Sequence, residues 1–216
     1  LLTEANDRMV YARLVGRVIE LGFDSFSPYL DMAFGPSAAE EQDRFISALT
    51  TNTTHFYRES YHFDYLEAGV IPDLITRARA GERIRIWSAG CSTGDEPYSL
   101  AICLLNAFPD AAKYDVKILA TDVDRAALAR ATAATYSPNS LRDMPDLLRD
   151  VGFDLVSETQ QWTPKPQVRA LITFRQLNLI GEWPFRGTFD AIFCRNVAIY
   201  MDDDTQEHIW TRFKDR

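Results

Sequence analysis

Trp87-Ser88-Ala89-Gly90-Cys91-Ser92-Thr93-Gly94-Asp95-Glu96-Pro97-Tyr98-Ser99 is the stretch that decides the fold. Upstream of its loop, Arg83-Ile84-Arg85-Ile86-Trp87-Ser88 alternates in the manner of a strand. Downstream, a helix is expected from about Glu96 to Phe108, with Pro97 near its first turn, where proline is tolerated. A second unit repeats the pattern: Val116-Lys117-Ile118-Leu119-Ala120-Thr121 reads as a strand, and an alanine-rich helix follows from about Arg125 to Ala134. Strand, helix, strand, helix at this spacing predicts an α/β fold with a parallel sheet and crossovers.

Moving outward, residues 137 to about 170 break the rhythm. Pro138, Pro145, Pro164 and Pro166 punctuate short segments, among them Phe153 to Val156 and Val168 to Phe174, and the last leads back into the sheet. Phe189-Asp190-Ala191-Ile192-Phe193-Cys194 is an apolar run suited to a central strand. A last helix is expected to start near Asp204 or Thr205 as N-cap. On the N-terminal side, Val10, Leu14, Val18 and Leu21 form one stripe of an amphipathic helix, and Gly22 is its natural stop. Two more helices are expected over Ser25–Ala33 and Ala39–Leu49, with Phe34-Gly35-Pro36-Ser37 as the turn between them. Residues 59–80 read as a further helix, with Pro72 as a candidate break. The expected organisation is a helical N-terminal domain (1–58), a linker helix (59–82) and a sheet domain (83–216) carrying an inserted subdomain (137–172).

Composition excludes several classes. With 46% hydrophobic and 25% charged residues, the chain is built as a folded globule. A net charge of -8 disfavours a nucleic-acid binder. No apolar run reaches the roughly 18 residues a membrane span needs, and the N-terminus lacks the pattern of a signal peptide. It also lacks an initiator Met, as expected of a chain that begins inside a longer one. Three widely spaced cysteines (Cys91, Cys103, Cys194) suit a reducing cytoplasm, and three histidines without paired cysteines give no metal site.

Four polar segments carry candidate chemistry. In Gly90–Glu96, small residues let backbone amides approach a ligand at a helix N-terminus. Two glycines four apart do not make the dinucleotide fingerprint. Acids at the helix start would repel a pyrophosphate and welcome an amino group, favouring an amino-acid-bearing cofactor such as S-adenosylmethionine; the alternative is a tight turn with acids on the helix dipole. Asp122, at the end of the second strand, can accept hydrogen bonds from ribose hydroxyls, whereas Asp124 reads better as the next helix's N-cap. Cys194-Arg195-Asn196-Val197-Ala198-Ile199-Tyr200 follows the last strand, at the sheet edge where open α/β folds bind ligands. Thr51-Asn52-Thr53-Thr54-His55-Phe56-Tyr57-Arg58-Glu59 lies between the two regions and alone would pass for a linker.

Together these segments resemble the CheR chemotaxis receptor methyltransferases. The family's Thr-Asn-x-Thr-x-Phe-Phe-Arg-Glu is matched from Thr51 to Glu59, with Tyr57 in place of the second Phe. Its Trp-Ser-Ala-Gly-Cys-Ser-Thr-Gly-Glu-Glu-Pro-Tyr-Ser is matched from Trp87 to Ser99, with Asp95 as the one change. Ala120–Asp124, Asn178-Leu179 and Phe193–Val197 also fit in order. The resemblance implies a Rossmann-like S-adenosylmethionine methyltransferase sheet with an all-α N-terminal domain and a small inserted β-subdomain. It also implies further strands after the last helix, so the sheet is expected to lack its closing strands.

By that resemblance Asn52, Thr54 and Arg58 reach over the cofactor, Glu96 and Asp122 hold its polar groups, and Asn178, Leu179, Cys194 and Arg195 line the rest. Arg58 and Tyr200 take the positions beside the reacting methyl. The implied reaction converts a receptor glutamate into its γ-methyl ester and leaves S-adenosylhomocysteine. The implied partner is the cytoplasmic signalling domain of a methyl-accepting chemoreceptor, engaged through basic residues of an N-terminal helix; Arg13 and Arg17 share a face, with Arg8 nearby. Residues 1–50 nonetheless hold four Arg against eight acids. Two rival readings are a nicotinamide-dependent dehydrogenase, opposed by the missing third glycine, and a non-catalytic receptor-binding scaffold.

Overall fold

In the first strand, β1 (Ile84–Ala89), Ile84 and Ile86 enter one hydrophobic core while Trp87 and Ala89 enter another on the opposite face. This is the two-residue period of a strand buried on both sides. The computed structural model describes residues 7–216. Its main sheet holds four parallel strands in the order β5-β2-β1-β6, with β2 at Val116–Asp122, β5 at Ile172–Gln176 and β6 at Ala191–Phe193. The order reverses at β1, since the chain builds outward through β2 to β5 and then returns to the far side of β1. That reversal opens a crevice at the strands' carboxyl ends, the binding place of open α/β sheets.

The described N-terminal region opens with α1 (Asp7–Glu20), α2 (Phe26–Ala33) and α3 (Ala39–Leu49). Gly22 at φ +77 ends the first of these turns, as the sequence predicts. Arg17 is not part of a free basic face. Its guanidinium forms a two-pronged pair with the nearly buried Glu41 (3.0 and 2.6 Å), which also accepts from the Tyr29 hydroxyl at 3.1 Å. Arg13 is likewise engaged inside the chain, on the end of α3.

The expected helix over 59–80 is α4 (Tyr61–Tyr65), a π-turn (Leu66–Val70) and α5 (Ile71–Arg79). Pro72 does not break it. The wide turn restarts the ladder at Ile71, which puts Pro72 in the first turn of α5, where no amide is needed. Helix α6 (Asp95–Ala107) packs on the Ile86 face, and α7 (Arg125–Ala133) follows β2.

The insertion is only partly β. Helix α8 (Asp146–Gly152), the antiparallel hairpin β3 (Phe153–Val156) and β4 (Gln161–Pro164), and α9 (Pro166–Leu171) make it up, so the segment read as Val168 to Phe174 divides between α9 and β5. β6 also departs from expectation. Among the described residues it pairs with β1 alone, through three residues, and so is an edge strand. Its apolar character serves both faces, Ala191 and Phe193 toward one core and Ile192 toward the other. The final helix, α10 (Asp203–Lys214), is capped two to three residues earlier than expected, with Asp202 accepting from the Thr205 amide at 2.9 Å.

The second core centres on Trp87, ringed by Trp183, Phe185, Phe189 and Phe213 at centroid distances of 4.9 to 5.2 Å. Its indole N–H donates to the Thr121 hydroxyl at 2.9 Å, so the largest buried side chain leaves no polar atom unpaired.

Tyr57 does leave one. Its ring packs on Phe63 at 4.7 Å, but its hydroxyl is buried without a partner near Cys103 and Glu67, and burial together with those two groups pushes its pKa well up. An unsatisfied buried hydroxyl costs about 1–3 kcal/mol. Tyr57→Phe is therefore expected to stabilise the protein, raising its melting temperature by roughly 2–4 °C per kcal/mol gained. An unchanged or lower melting temperature in calorimetry would show that the hydroxyl is satisfied in solution.

Candidate active site

Each of the four strands delivers its carboxyl end to one crevice. After β1, the Gly90 and Cys91 amides donate to the Thr121 carbonyl at 2.7 and 2.9 Å, folding the loop across the end of β2. Gly90 sits at φ +83, and a Cβ there would lie 2.3 Å from Val197 Cγ2, so only glycine fits. The Ser92 amide then donates to Asp122 Oδ2 at 2.7 Å, and the Asp124 amide to Oδ1 at 2.9 Å. Two backbone donors thus hold the Asp122 carboxylate. Each oxygen has a second lone pair, so both can still accept from a ligand. Burial pushes the Asp122 pKa up against these hydrogen bonds.

The floor is an ion network. Glu96, in the first turn of α6, has a side chain only 12% exposed; it accepts from the Ser88 hydroxyl at 2.7 Å and from Arg195 at 3.4 Å. Burial again raises its pKa, opposed by the Ser88 hydrogen bond and the Arg195 charge. Arg195 also donates to the Arg58 carbonyl and to Glu59 Oε2 (3.1 Å), and its Nε is buried without a partner. Glu59 in turn accepts from the Asn196 amide at 3.4 Å.

The roof is the stretch from residue 50 to 58. Asp124, fully buried, accepts with Oδ1 from the Ala126 and Ala127 amides as N-cap of α7. Its Oδ2 accepts from the Thr50 hydroxyl at 3.0 Å and the Asn52 amide at 2.6 Å. Burial favours the neutral acid, but these donors outweigh it and hold Asp124 below the usual carboxylate range. The Ser92 hydroxyl donates to Asn52 Oδ1 at 3.3 Å, tying roof to loop.

The cavity measures about 510 Å³. Asn52, Thr54, Arg58, Glu96, Asp122, Asn178, Leu179, Arg195 and Tyr200 all line it. Cys194 does not. It packs toward the Trp87 core, and burial pushes its thiol up to about 12; its neighbour Arg195 lines the cavity. Asn52 is present but its amide is committed to Asp124 and Ser92, a structural tie as much as a ligand group. Sequence reasoning gave no individual role to Ser92 and Asn196, which sit with Tyr57 and Glu59 at φ +49 to +56. Among the described residues, four of the six non-glycine residues in the left-handed region thus fall in the segments around this crevice, a concentration of backbone strain typical of binding sites. The donor set suits a nucleoside bearing an amino acid: carboxylates for hydroxyl and ammonium groups, and small residues at Gly90 to Thr93 that leave room.

Because the folded-state pKa of Glu96 is raised, its ionised form is penalised in the folded protein. That penalty is absent at low pH, develops as pH rises from the ordinary glutamate value toward the raised one, and is complete above it. The melting temperature of Glu96→Gln minus that of the wild type should accordingly increase as pH rises above roughly 4.3, the ordinary glutamate value. A difference that stays flat or shrinks with pH would mean that Glu96 ionises without cost.

Residues 52–216 match the family described as CheR methyltransferase, SAM binding domain. A probable chemotaxis protein methyltransferase of Rhizobium etli is 44% identical over 214 residues, covering 98% of this chain and 80% of its own length. The chemotaxis protein methyltransferase of Borreliella burgdorferi is 33% identical (98% and 76% covered), and that of Escherichia coli is 38% identical (95% and 70%). Sheet order, crevice and sequence agree, and the chain belongs to the CheR methyltransferase family, enzymes that use S-adenosyl-L-methionine.

Proposed function

We propose that this protein is a glutamate O-methyltransferase acting in the cytoplasm on the signalling domains of chemoreceptors. The observation that carries the reading is a division within one cavity. Glu96 and Asp122 are acids shielded from solvent, while Arg58 and Tyr200 on the same lining are more exposed than either, Tyr200 being 59% exposed. No helix among the described residues is long and apolar enough to cross a membrane.

S-adenosylmethionine, when bound, supplies an activated methyl group on a sulfonium. In this reading Asp122 accepts the ribose hydroxyls and Glu96 faces the amino-acid end, with Asn52, Thr54, Asn178, Leu179 and Arg195 completing the enclosure. A substrate glutamate is already ionised near neutral pH, its ordinary pKa being about 4.3, so the site needs no general base. What remains is to bring the carboxylate in, strip its water and aim it. Arg58 has the charge for this. Its Nη1 donates to the Thr53 carbonyl at 3.0 Å and its Nε lies 3.8 Å from Glu59, an arrangement that anchors the guanidinium without neutralising it by a tight pair. Tyr200, on the short turn Ala198–Tyr200, borders the space where methyl and carboxylate meet.

Methyl transfer from labelled cofactor to a chemoreceptor signalling fragment tests the reading, with base-labile methyl ester as the expected product. Arg58→Ala should lower kcat by roughly 10–100-fold, the scale of a lost orienting contact, while S-adenosylhomocysteine still binds. Wild-type turnover in that variant would remove Arg58 from the chemistry. Cofactor binding without any transfer to receptor fragments would favour a scaffold.

A further inference from the structure

The end of α3 poses a capping problem that its own sequence solves only in part, the Thr50 amide donating to the Ile46 carbonyl at 2.9 Å. The last four carbonyls of a helix lack intrahelical donors. α3 has no basic residue in its last turn, and its C-cap is Thr50 rather than glycine. The donors for the last two helical carbonyls come from another helix. Arg13, in the middle of α1, places Nη1 on the carbonyls of Ala48 (3.3 Å), Leu49 (2.7 Å) and Thr50 (3.0 Å), and Nη2 on the Thr51 hydroxyl (3.0 Å). A guanidinium at a helix C-terminus also meets the negative end of the helix dipole.

What Arg13 holds is the beginning of the cavity roof. Leu49, Thr50 and Thr51 line the cavity. Thr50 and its neighbour Asn52 bond Asp124, whose amide donates to the Asp122 carboxylate. A continuous set of hydrogen bonds thus runs from α1, through the end of α3, to the acid on the opposite wall.

We propose that Arg13 is a positioning residue for the cofactor: by capping α3 it fixes the 49–52 segment over Asp122 and so sets the affinity of the pocket for the nucleoside. The inference rests on the cavity being the cofactor site. It gives Arg13 a different task from the receptor contact that its charge and helical position suggest in the sequence.

The test compares Arg13→Ala, Arg13→Lys and the remote charge control Lys113→Ala. Calorimetric titration with S-adenosylhomocysteine reads the pocket directly, and steady-state methylation of a receptor fragment reads both substrates. Arg13→Ala should weaken S-adenosylhomocysteine about tenfold and raise the KM for S-adenosylmethionine in step, with kcat at saturating cofactor and the KM for receptor changed by less than about twofold. Arg13→Lys, whose single ammonium cannot span four acceptors, should fall between. Lys113→Ala should match the wild type. Unchanged S-adenosylhomocysteine affinity in Arg13→Ala overturns the proposal, as does a raised KM for receptor alone, which would make Arg13 a docking residue. If Arg13→Ala does not fold, Arg13→Lys decides, and wild-type affinity there is equally fatal. A wild-type protein that binds no S-adenosylhomocysteine would instead refute the cavity as cofactor site.

Discussion

One buried carboxylate, Asp124, holds the two halves of the molecule in register. Its first oxygen caps α7, and its second accepts from Thr50 and Asn52 across more than seventy residues of sequence. A fully buried acid is tolerable only when its lone pairs are occupied, and here each half of the chain supplies donors the other needs. The helical layer is thereby fastened to the carboxyl edge of the sheet, and the crevice of an ordinary α/β fold acquires a roof.

The pocket that results is costly to fold. Asp122 and Glu96 are both held in surroundings that raise their pKa values, and Tyr57, Glu59, Ser92 and Asn196 take left-handed backbone conformations. These terms disfavour folding and are concentrated where ligand contacts would offset them. The opposite sign prevails away from the crevice: Trp87 has every polar atom satisfied, and Glu41 is held below the usual carboxylate range, chiefly by its pair with Arg17. Stability resides in the packed interior, and the strain gathers at the binding edge.

Much of this was legible in the sequence because it is local. The alternation of Arg83 to Ser88, the small residues from Gly90 to Gly94 and the capping acid Asp124 each depend on neighbours in the chain, and the structure has β1, the folded loop and the α7 cap there. The parts that were misread depend on distant partners. Pro72 looks like a helix breaker until the π-turn before it resets the register. Arg13 and Arg17 share a basic helix face in the sequence, which does not announce that Arg17 pairs with Glu41 or that Arg13 caps α3. Cys194 lies in a matching motif, yet it packs on the Trp87 cluster and is not on the cavity lining. The ring around Trp87 draws on Trp183, Phe185, Phe189 and Phe213, which share no helical or strand period that could announce it.

The central claim is that the roofed crevice between residues 50–58 and the strand ends is where the cofactor binds, with Asp122 on the ribose. A crystal structure of the protein with S-adenosylhomocysteine tests it most directly. The account predicts both ribose hydroxyls within hydrogen-bonding distance of the Asp122 carboxylate, beneath the segment tied down by Asp124. A nucleoside bound elsewhere, or seated in the crevice with Asp122 untouched, would contradict it.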